Sequence, residues 1–158
     1  MRTWQAVIPW IGPDWNIIEC ARSMGEASIP VLLIDNSPDR RAKTLGLPMW
    51  IEIEEHPYNL GIGPSMNRGL VRGFEQNILM SSSVRFGPSG LSGLVREMEL
   101  RADEYGLQMP VLGGNHISVI GKATVEKVGI YDENLWPYEL EDSDYGMRMC
   151  FADIAYAH

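Results

Sequence analysis

The sequence is poor in cysteine. Only two cysteines, Cys20 and Cys150, occur in 158 residues, and neither lies beside a second cysteine or a histidine at metal-ligand spacing. A disulfide framework or a structural zinc site needs more such residues at closer spacing. The sequence therefore argues against both, and we expect two buried thiols.

Basic residues are also few, and they are not clustered. Lys and Arg number 13 against 21 Asp and Glu, a formal net charge of −8. No Lys/Arg stripe of the kind that follows a phosphate backbone is present, so nucleic acid is not an expected partner. No apolar run approaches the roughly 20 residues that span a bilayer, and residues 1–10 alternate as in a strand rather than a signal peptide. We expect a cytoplasmic protein without a transmembrane segment.

The chain does contain enough apolar sequence for one core. Hydrophobic residues make up 45% of the chain, the share expected of a soluble globular domain. No repeat, low-complexity segment or linker divides it, so a single domain over residues 1–158 is expected. The sequence stops after Tyr156-Ala157-His158 without a closing element, which favours truncation of a longer protein at its C-terminus.

Hydrophobic periodicity alternates between strands and helices along most of the chain. Asp14 is the expected N-cap of a helix that Gly25 ends, and further helices are predicted from about Ser65 and over residues 91–102. This alternation predicts an α/β fold, a Rossmann-like open and mostly parallel sheet with helices on both faces. Ligands of such sheets bind beyond the carboxyl ends of the strands. The predicted strands are residues 1–9, which Pro9 ends, 31–34, 50–53, 78–80, 109–112 and 116–120.

Two segments carry the functional signal. Residues 59–70, Asn-Leu-Gly-Ile-Gly-Pro-Ser-Met-Asn-Arg-Gly-Leu, predict a glycine-rich turn that opens a helix, and such a turn can present backbone N–H groups to a phosphate. Residues 141–144, Glu-Asp-Ser-Asp, form an acidic cluster, and a carboxylate there can act as a general base. Together they indicate sugar transfer from a nucleotide donor.

The acidic residues also have structural interpretations. Asp35 can bind a ribose or base edge at the end of its strand, or it can form an Asx turn in Asp-Asn-Ser-Pro. The acids at 141–144 can supply a base, or they can favour the positive end of a helix, with Arg148 pairing with Asp144. For the acidic cluster the two interpretations are compatible.

Six short motifs follow one another in an order that resembles the nucleotide-sugar-binding half of the family 2 glycosyltransferases, the inverting enzymes of GT-A fold. The motifs are residues 7–9, 33–37, 59–70, 78–86, 128–133 and 141–148, nearly the whole chain. The resemblance implies a GT-A type sheet, a nucleotide-diphosphate sugar donor, and an acceptor hydroxyl on a glycan, lipid or protein.

The resemblance also implies roles for the matched residues. Asp142 would be the catalytic base that deprotonates the acceptor hydroxyl, with Glu141 as the other candidate. Aromatic residues Trp136 and Tyr138, just before the acidic pair, could stack on an acceptor sugar; packing at the core or rim is the alternative. The implied donor-binding residues are Pro9, Trp10, Asp35, Asn36, Asn59, Gly61, Gly63, Asn67, Arg68, Ser81 and Ser83.

One motif departs from the family. Where these enzymes usually carry an Asp-x-Asp-like motif that holds a divalent cation, this chain has Ser81-Ser82-Ser83, and serine is a weak ligand for Mg²⁺ or Mn²⁺. No metal site is therefore predicted, and either cation is disfavoured as a cofactor. Three accounts follow: metal-independent transfer assisted by hydroxyls, backbone N–H groups and Arg68 or Arg85; a cation held through His158 or Asp144; or a fold retained without activity.

The leading prediction is an inverting glycosyltransferase with Asp142 as base. The alternative is a catalytically inactive nucleotide-sugar-binding module of the same fold. A nucleotidyltransferase is less favoured, because the first strand is not followed by a glycine-rich loop bearing Lys or Arg. The three histidines are each expected to be hydrogen-bonded within the fold or solvated rather than functional. They are His56, His116 and His158.

Overall fold

A computed structural model of the protein describes residues 3–105, 116–135 and 140–154. The predicted strand at 109–112 lies outside these residues. Within them, no helix is long and apolar enough to cross a membrane. The elements are β1 (Trp4–Trp10), α1 (Asp14–Met24), β2 (Val31–Asp35), a short 3₁₀ turn (Ala42–Thr44), β3 (Ile51–Glu55), α2 (Ile62–Leu70), β4 (Gln76–Met80), α3 (Gly90–Tyr105), β5 (Ile117–Gly121), α4 (Lys122–Val128) and α5 (Glu141–Phe151).

The five strands form one open sheet in the order β3-β2-β1-β4-β5. The first four strands run parallel, and β5 pairs antiparallel with β4 at the edge, where Met80 lies opposite Ile117. The predicted open, mostly parallel sheet is therefore confirmed. Because the strand order changes direction between β1 and β4, a crevice is expected at their carboxyl ends.

Side chains that alternate along β1 build two cores on opposite faces of the sheet. Ala6 and Ile8 belong to the cluster that α1 and α3 cover, whereas Val7 belongs to the cluster that α2 and α5 cover. The predicted helices on both faces are thus confirmed. Cys20 is buried in the first cluster, and this burial raises the pKa of its thiol to about 11. Cys150 is exposed, so the expectation of two buried thiols was wrong for this residue.

Several element ends differ from their predicted positions for local reasons. The strand β1 continues past Pro9 to Trp10, because the missing N–H of Pro9 costs no hydrogen bond of the sheet. Backbone N–H groups alternate between the two neighbouring strands, and the Ala6 N–H bonds on the β2 side. Position 9 therefore faces β4, whose pairing with β1 ends at Val7. The helix α1 does end at Gly25, with φ of 69°, but Pro13 rather than Asp14 is its N-cap.

The helix α2 begins at Ile62, before the predicted start at Ser65. Gly61, with φ of 85°, turns the chain into the helix. Pro64 stands within the first turn, where backbone N–H groups have no intrahelical partner and proline is tolerated.

Candidate functional site

A cavity of about 1160 Å³ opens at the carboxyl ends of β1 and β4 and extends beneath α5. Its floor is apolar and includes Leu79 and Ile120 from the sheet. Its polar rim comes from segments that are far apart in the sequence, so the fold brings most of the predicted site together. The predicted residues that line it are Pro9, Trp10, Asn36, Asn59, Gly61, Ser81, Glu141 and Asp142.

Two asparagines shape the turn at the cavity edge. Asn36, directly after β2, donates from Nδ2 to Ser65 Oγ at 2.9 Å and accepts the Leu60 N–H at 3.0 Å. Asn59 accepts the Gly61 N–H at 2.9 Å. The end of β2 is thereby fastened to the start of α2, and the backbone of the glycine-rich turn faces the cavity in a fixed conformation.

Asp35 does not line the cavity. Its side chain is fully buried, and its two carboxylate oxygens accept the backbone N–H groups of Ser37 and Ala42, both at 2.8 Å. These contacts match the turn-forming interpretation of this residue. The carboxylate is thus engaged by its own loop, and direct contact between it and a donor stays a prediction.

Two other predicted donor residues, Gly63 and Asn67, support the cavity wall from behind, and a third, Arg68, points away from it. Asn67 is buried and bonds to both the N–H and the C=O of Tyr131, at 2.9 and 3.0 Å. Gly63 lies close to the same segment, since an added Cβ would stand 3.5 Å from Tyr131 Cβ and 3.9 Å from Glu141 Cβ. Arg68 points away toward β3, where its Nε donates to Glu54 Oε1 at 2.6 Å.

The acidic pair lies at the start of α5, where both residues line the cavity. Asp142 is exposed, and its Oδ1 accepts the Ser143 N–H at 2.7 Å. Glu141 is only 7% exposed, and its Oε2 has no hydrogen-bond partner among the described residues. Asp144 and Arg148 form the expected ion pair at 2.8 Å. The acidic residues thus stand at the positive end of the helix dipole, and two of them also line the cavity.

Two tyrosines that sequence reasoning did not assign also line the cavity. Tyr131 and Tyr145 stack with their ring centroids 4.5 Å apart. Burial raises the pKa of Tyr145 to about 12. Burial also raises the pKa of Tyr131, and the charges of Asp142 and Glu141 add to that increase. Both phenols therefore stay protonated near neutral pH. The only sequence signal was their position inside the two last motifs.

The serine motif meets a histidine at the cavity. Ser81 Oγ lies 2.8 Å from Ser83 Oγ, which lies 3.4 Å from Nδ1 of His116. Ser81, Ser82 and His116 line the cavity, whereas Ser83 is exposed and does not line it. Over the described ranges, no group of three or more His, Cys, Asp or Glu residues could hold a metal ion. The donor set here is hydroxyl and imidazole, which does not fit Mg²⁺ or Mn²⁺.

The predicted acceptor residues Trp136 and Tyr138 lie outside the described residues, as does His158. Their suggested roles stay predictions.

No family model and no curated protein sequence matches the chain. Solved structures do match. The mannosyltransferase PcManGT from Pyrobaculum calidifontis, in complex with GDP-Man and Mn2+, has a TM-score of 0.69 at 12% identity, covering 94% of this chain and 52% of that one. S. aureus TarS in complex with UDP-GlcNAc has a TM-score of 0.67 at 13% identity, covering 92% and 52%.

A nucleotidyltransferase matches less well. A cytidylyltransferase from Leptospira borgpetersenii has a TM-score of 0.51 at 10% identity, covering 96% of this chain and 70% of that one. At these identities the likeness concerns the fold, which is of the GT-A-like type that glycosyltransferases and nucleotidyltransferases share. The chain spans about half the length of the two glycosyltransferase structures.

Proposed function

We propose that the chain is the donor-binding and catalytic domain of an inverting glycosyltransferase, with a nucleotide-diphosphate sugar as donor and a hydroxyl compound as acceptor. The observation that carries the proposal is the shared cavity: the carboxylate of Asp142 and the glycine-rich turn at Gly61 line one space at the strand ends. The solved structures of similar fold support it, because their ligands are GDP-Man and UDP-GlcNAc.

The proposed chemistry is a single displacement. Asp142 takes the proton from the acceptor hydroxyl as its oxygen attacks the anomeric carbon, and the bond from that carbon to the diphosphate oxygen breaks with its electron pair leaving on the diphosphate. The exposed carboxylate of Asp142 is the better placed base. The buried carboxylate of Glu141, with one unpartnered oxygen, is the second candidate.

Asp35 has an indirect role in this proposal. By accepting the Ser37 and Ala42 N–H groups, it fixes the loop that follows β2. That loop begins with Asn36, which lines the cavity. Asp35 therefore positions the donor pocket without touching the nucleotide.

The test compares two isosteric variants in donor binding and in transfer. Asp142→Asn should lower transfer or donor hydrolysis by about 10²–10⁴-fold, the usual contribution of a positioned general base, with the affinity for UDP or GDP nearly unchanged. Glu141→Gln should leave more activity. Asp153→Asn is the matched control, since Asp153 is exposed beyond the end of α5 and its φ of 52° suits asparagine. Full turnover by Asp142→Asn would remove this residue from the mechanism.

The second candidate function is a nucleotide-sugar-binding module without transferase activity. The replacement of an acidic motif by Ser81-Ser82-Ser83 favours it, since hydroxyls there do not supply the usual cation site. Isothermal titration with UDP and GDP beside a donor-hydrolysis assay separates the two functions. Binding of either nucleotide with no turnover of any sugar nucleotide would favour the module.

A further inference from the structure

Ser81 and His116 face each other across the edge of the sheet. They extend the antiparallel pairing of β4 and β5, because the Ser81 N–H donates to the His116 C=O at 2.8 Å, directly beyond the pair Met80 and Ile117. Ser83 then folds back over the same point, and its N–H donates to Ser81 Oγ at 3.2 Å. Backbone contacts thus fix all three side chains at the strand ends where the cavity opens.

The three side chains form one chain of hydrogen bonds. The hydroxyls of Ser81 and Ser83 are 2.8 Å apart, and Ser83 Oγ is 3.4 Å from His116 Nδ1. With Nδ1 as the acceptor of a hydroxyl proton, the ring proton lies on Nε2. Nothing in residues 3–105, 116–135 and 140–154 hydrogen-bonds to Nε2. The cluster therefore offers a ligand the Nε2–H of His116, and the Ser81 proton where that hydroxyl turns away from Ser83, and it carries no negative charge.

A cation stands behind the same loop. Arg85 donates from Nη1 to the carbonyls of Ser82 and Val84, at 3.0 and 2.9 Å, and its guanidinium lies 5.8 Å from the ring centre of Trp15. Its other amine reaches Asn16 Oδ1 at 3.4 Å, and Asn16 lines the cavity. Arg85 thus holds the serine loop in place and adds positive charge beside it. Arg68, the other basic residue considered from the sequence, is paired with Glu54 and does not line the cavity.

We propose that Ser81 and His116 bind the diphosphate of the donor directly, with Ser83 orienting both side chains and with no divalent cation between protein and phosphate. Two carboxylates at positions 81 and 83 would repel a diphosphate unless a cation lay between them, whereas hydroxyl and imidazole donors bind phosphate oxygens themselves. This assignment rests on the proposed function, since it names the group that holds part of the donor. It gives His116 a role in binding, although the sequence favoured a merely satisfied or solvated histidine.

The test measures the affinity for UDP and GDP by isothermal titration, in EDTA and in Mn²⁺, with UMP and GMP for comparison. The wild-type protein should bind the diphosphates with the same affinity in both buffers. The variants His116→Ala and Ser81→Ala/Ser83→Ala should each weaken diphosphate binding about tenfold or more, the loss expected for a hydrogen bond to a charged group, with little effect on the monophosphates. Ser28→Ala, an exposed serine far from the cavity, is the control.

Two further variants distinguish hydrogen bonding from structural damage. His116→Gln keeps an N–H donor and should retain more affinity than His116→Ala. Ser81→Asp/Ser83→Asp should lose diphosphate binding in EDTA and regain it in Mn²⁺. Thermal melts check that each variant is folded.

The outcomes separate the two proposals. Wild-type binding that requires Mn²⁺, or alanine variants that bind like wild type, would overturn the metal-free site and leave the proposed function standing. No binding of UDP or GDP in either buffer would defeat the proposed function and this inference with it.

Discussion

Gly69 lies against β1 without room for a side chain, and Gly69→Ala is a sharp test of how the cavity wall is built. A Cβ at this position would stand 3.2 Å from both Cβ and Cγ1 of Val7 and much closer to its Cγ2. Val7 is fully buried in the central strand β1 and, being β-branched, has little rotamer freedom. The added methyl group therefore cannot be absorbed by a side-chain rotation.

The alternative is a displacement of the helix, which a hydrogen bond opposes. Gln5 donates from Nε2 to the Gly69 C=O at 2.6 Å, and the same nitrogen bonds to Asn77 Oδ1 at 2.6 Å. Carbon atoms in contact normally lie about 3.5–4.0 Å apart, so α2 would have to retreat from β1 and strain this buried network.

The magnitude follows from two opposed terms. Inserting a methyl group into a packed core costs about 1–3 kcal/mol. Replacing a helical glycine by alanine stabilises by about 0.5–1 kcal/mol, and less here, since Gly69 is next to the last residue of α2. We expect a net loss of about 1–2 kcal/mol, which lowers Tm by roughly 2–8 °C in a chain of this size.

The assay is urea denaturation followed by far-UV circular dichroism, with thermal melts beside it. Gly146→Ala is the matched control: Gly146 lies within α5, and nothing stands within 4 Å of an added Cβ, so this variant should be more stable by up to about 1 kcal/mol. Val7→Ala in the Gly69→Ala background should cost less than Val7→Ala alone, because it removes the clash. A Gly69→Ala protein as stable as Gly146→Ala would refute the close approach of α2 to β1.

Three further predictions concern the groups that fix the site. Asp35→Asn should destabilise the protein by about 1.5–3 kcal/mol in urea titrations, since the amide can accept only one of the two backbone N–H bonds that the carboxylate accepts; an unchanged midpoint would contradict those contacts. Asn67→Ala should cost about 2–3 kcal/mol by leaving the buried backbone groups of Tyr131 unpaired, and Asn67→Asp should be no more stable, because its carboxylate would face Glu133 Oε1, to which Asn67 Nδ2 donates at 3.0 Å; a midpoint like that of wild type for both variants would contradict these contacts. The hydrogen bond from Arg72 holds the pKa of Glu52 below its usual 4.5, so the pair stabilises the protein above pH 4.5, and this contribution is lost as the pH falls through the lowered pKa. The variant Arg72→Gln should therefore lose less stability than wild type between pH 6 and pH 3 in urea titrations. Equal losses in the two proteins would count against the pair.

Much of the fold could be predicted because its signals are local. The continuous apolar runs at 31–34 and 78–80 are typical of strands covered on both faces, and they lie in β2 and β4. The helix α4 was not predicted, since seven residues that are mostly polar show too little periodicity. The helix α2 starts three residues before the predicted Ser65, since Pro64 falls where the first turn needs no donor.

The candidate site was less predictable, because a position at a strand end does not determine the direction of a side chain. Asp35 ends β2 and Asn36 follows it directly, yet only Asn36 lines the cavity. The difference depends on the loop up to Ala42, whose N–H groups engage the Asp35 carboxylate, and no short motif encodes that return of the chain. The contact between Ser83 and His116 likewise joins residues 33 positions apart.

The shape of the cavity and the chemistry of its edge depend on different residues. Asp35, Gly63 and Asn67 hold the surroundings of the cavity through buried contacts. A sequence that keeps these residues keeps the shape of the cavity, and shape is independent of how the diphosphate charge is neutralised. The serines at positions 81–83 therefore set the chemistry of one edge of the cavity, whereas the acidic pair lies at another, at the start of α5.

The buried side chain of Glu141 points to a ligand at that second edge. The helix N-terminus favours an acid at this position, but a buried carboxylate oxygen without a partner costs stability unless a ligand engages it. Glu141→Gln or Glu141→Leu should accordingly raise the midpoint of urea denaturation in the absence of nucleotide, and a lower midpoint for both variants would remove this argument for a ligand at the site.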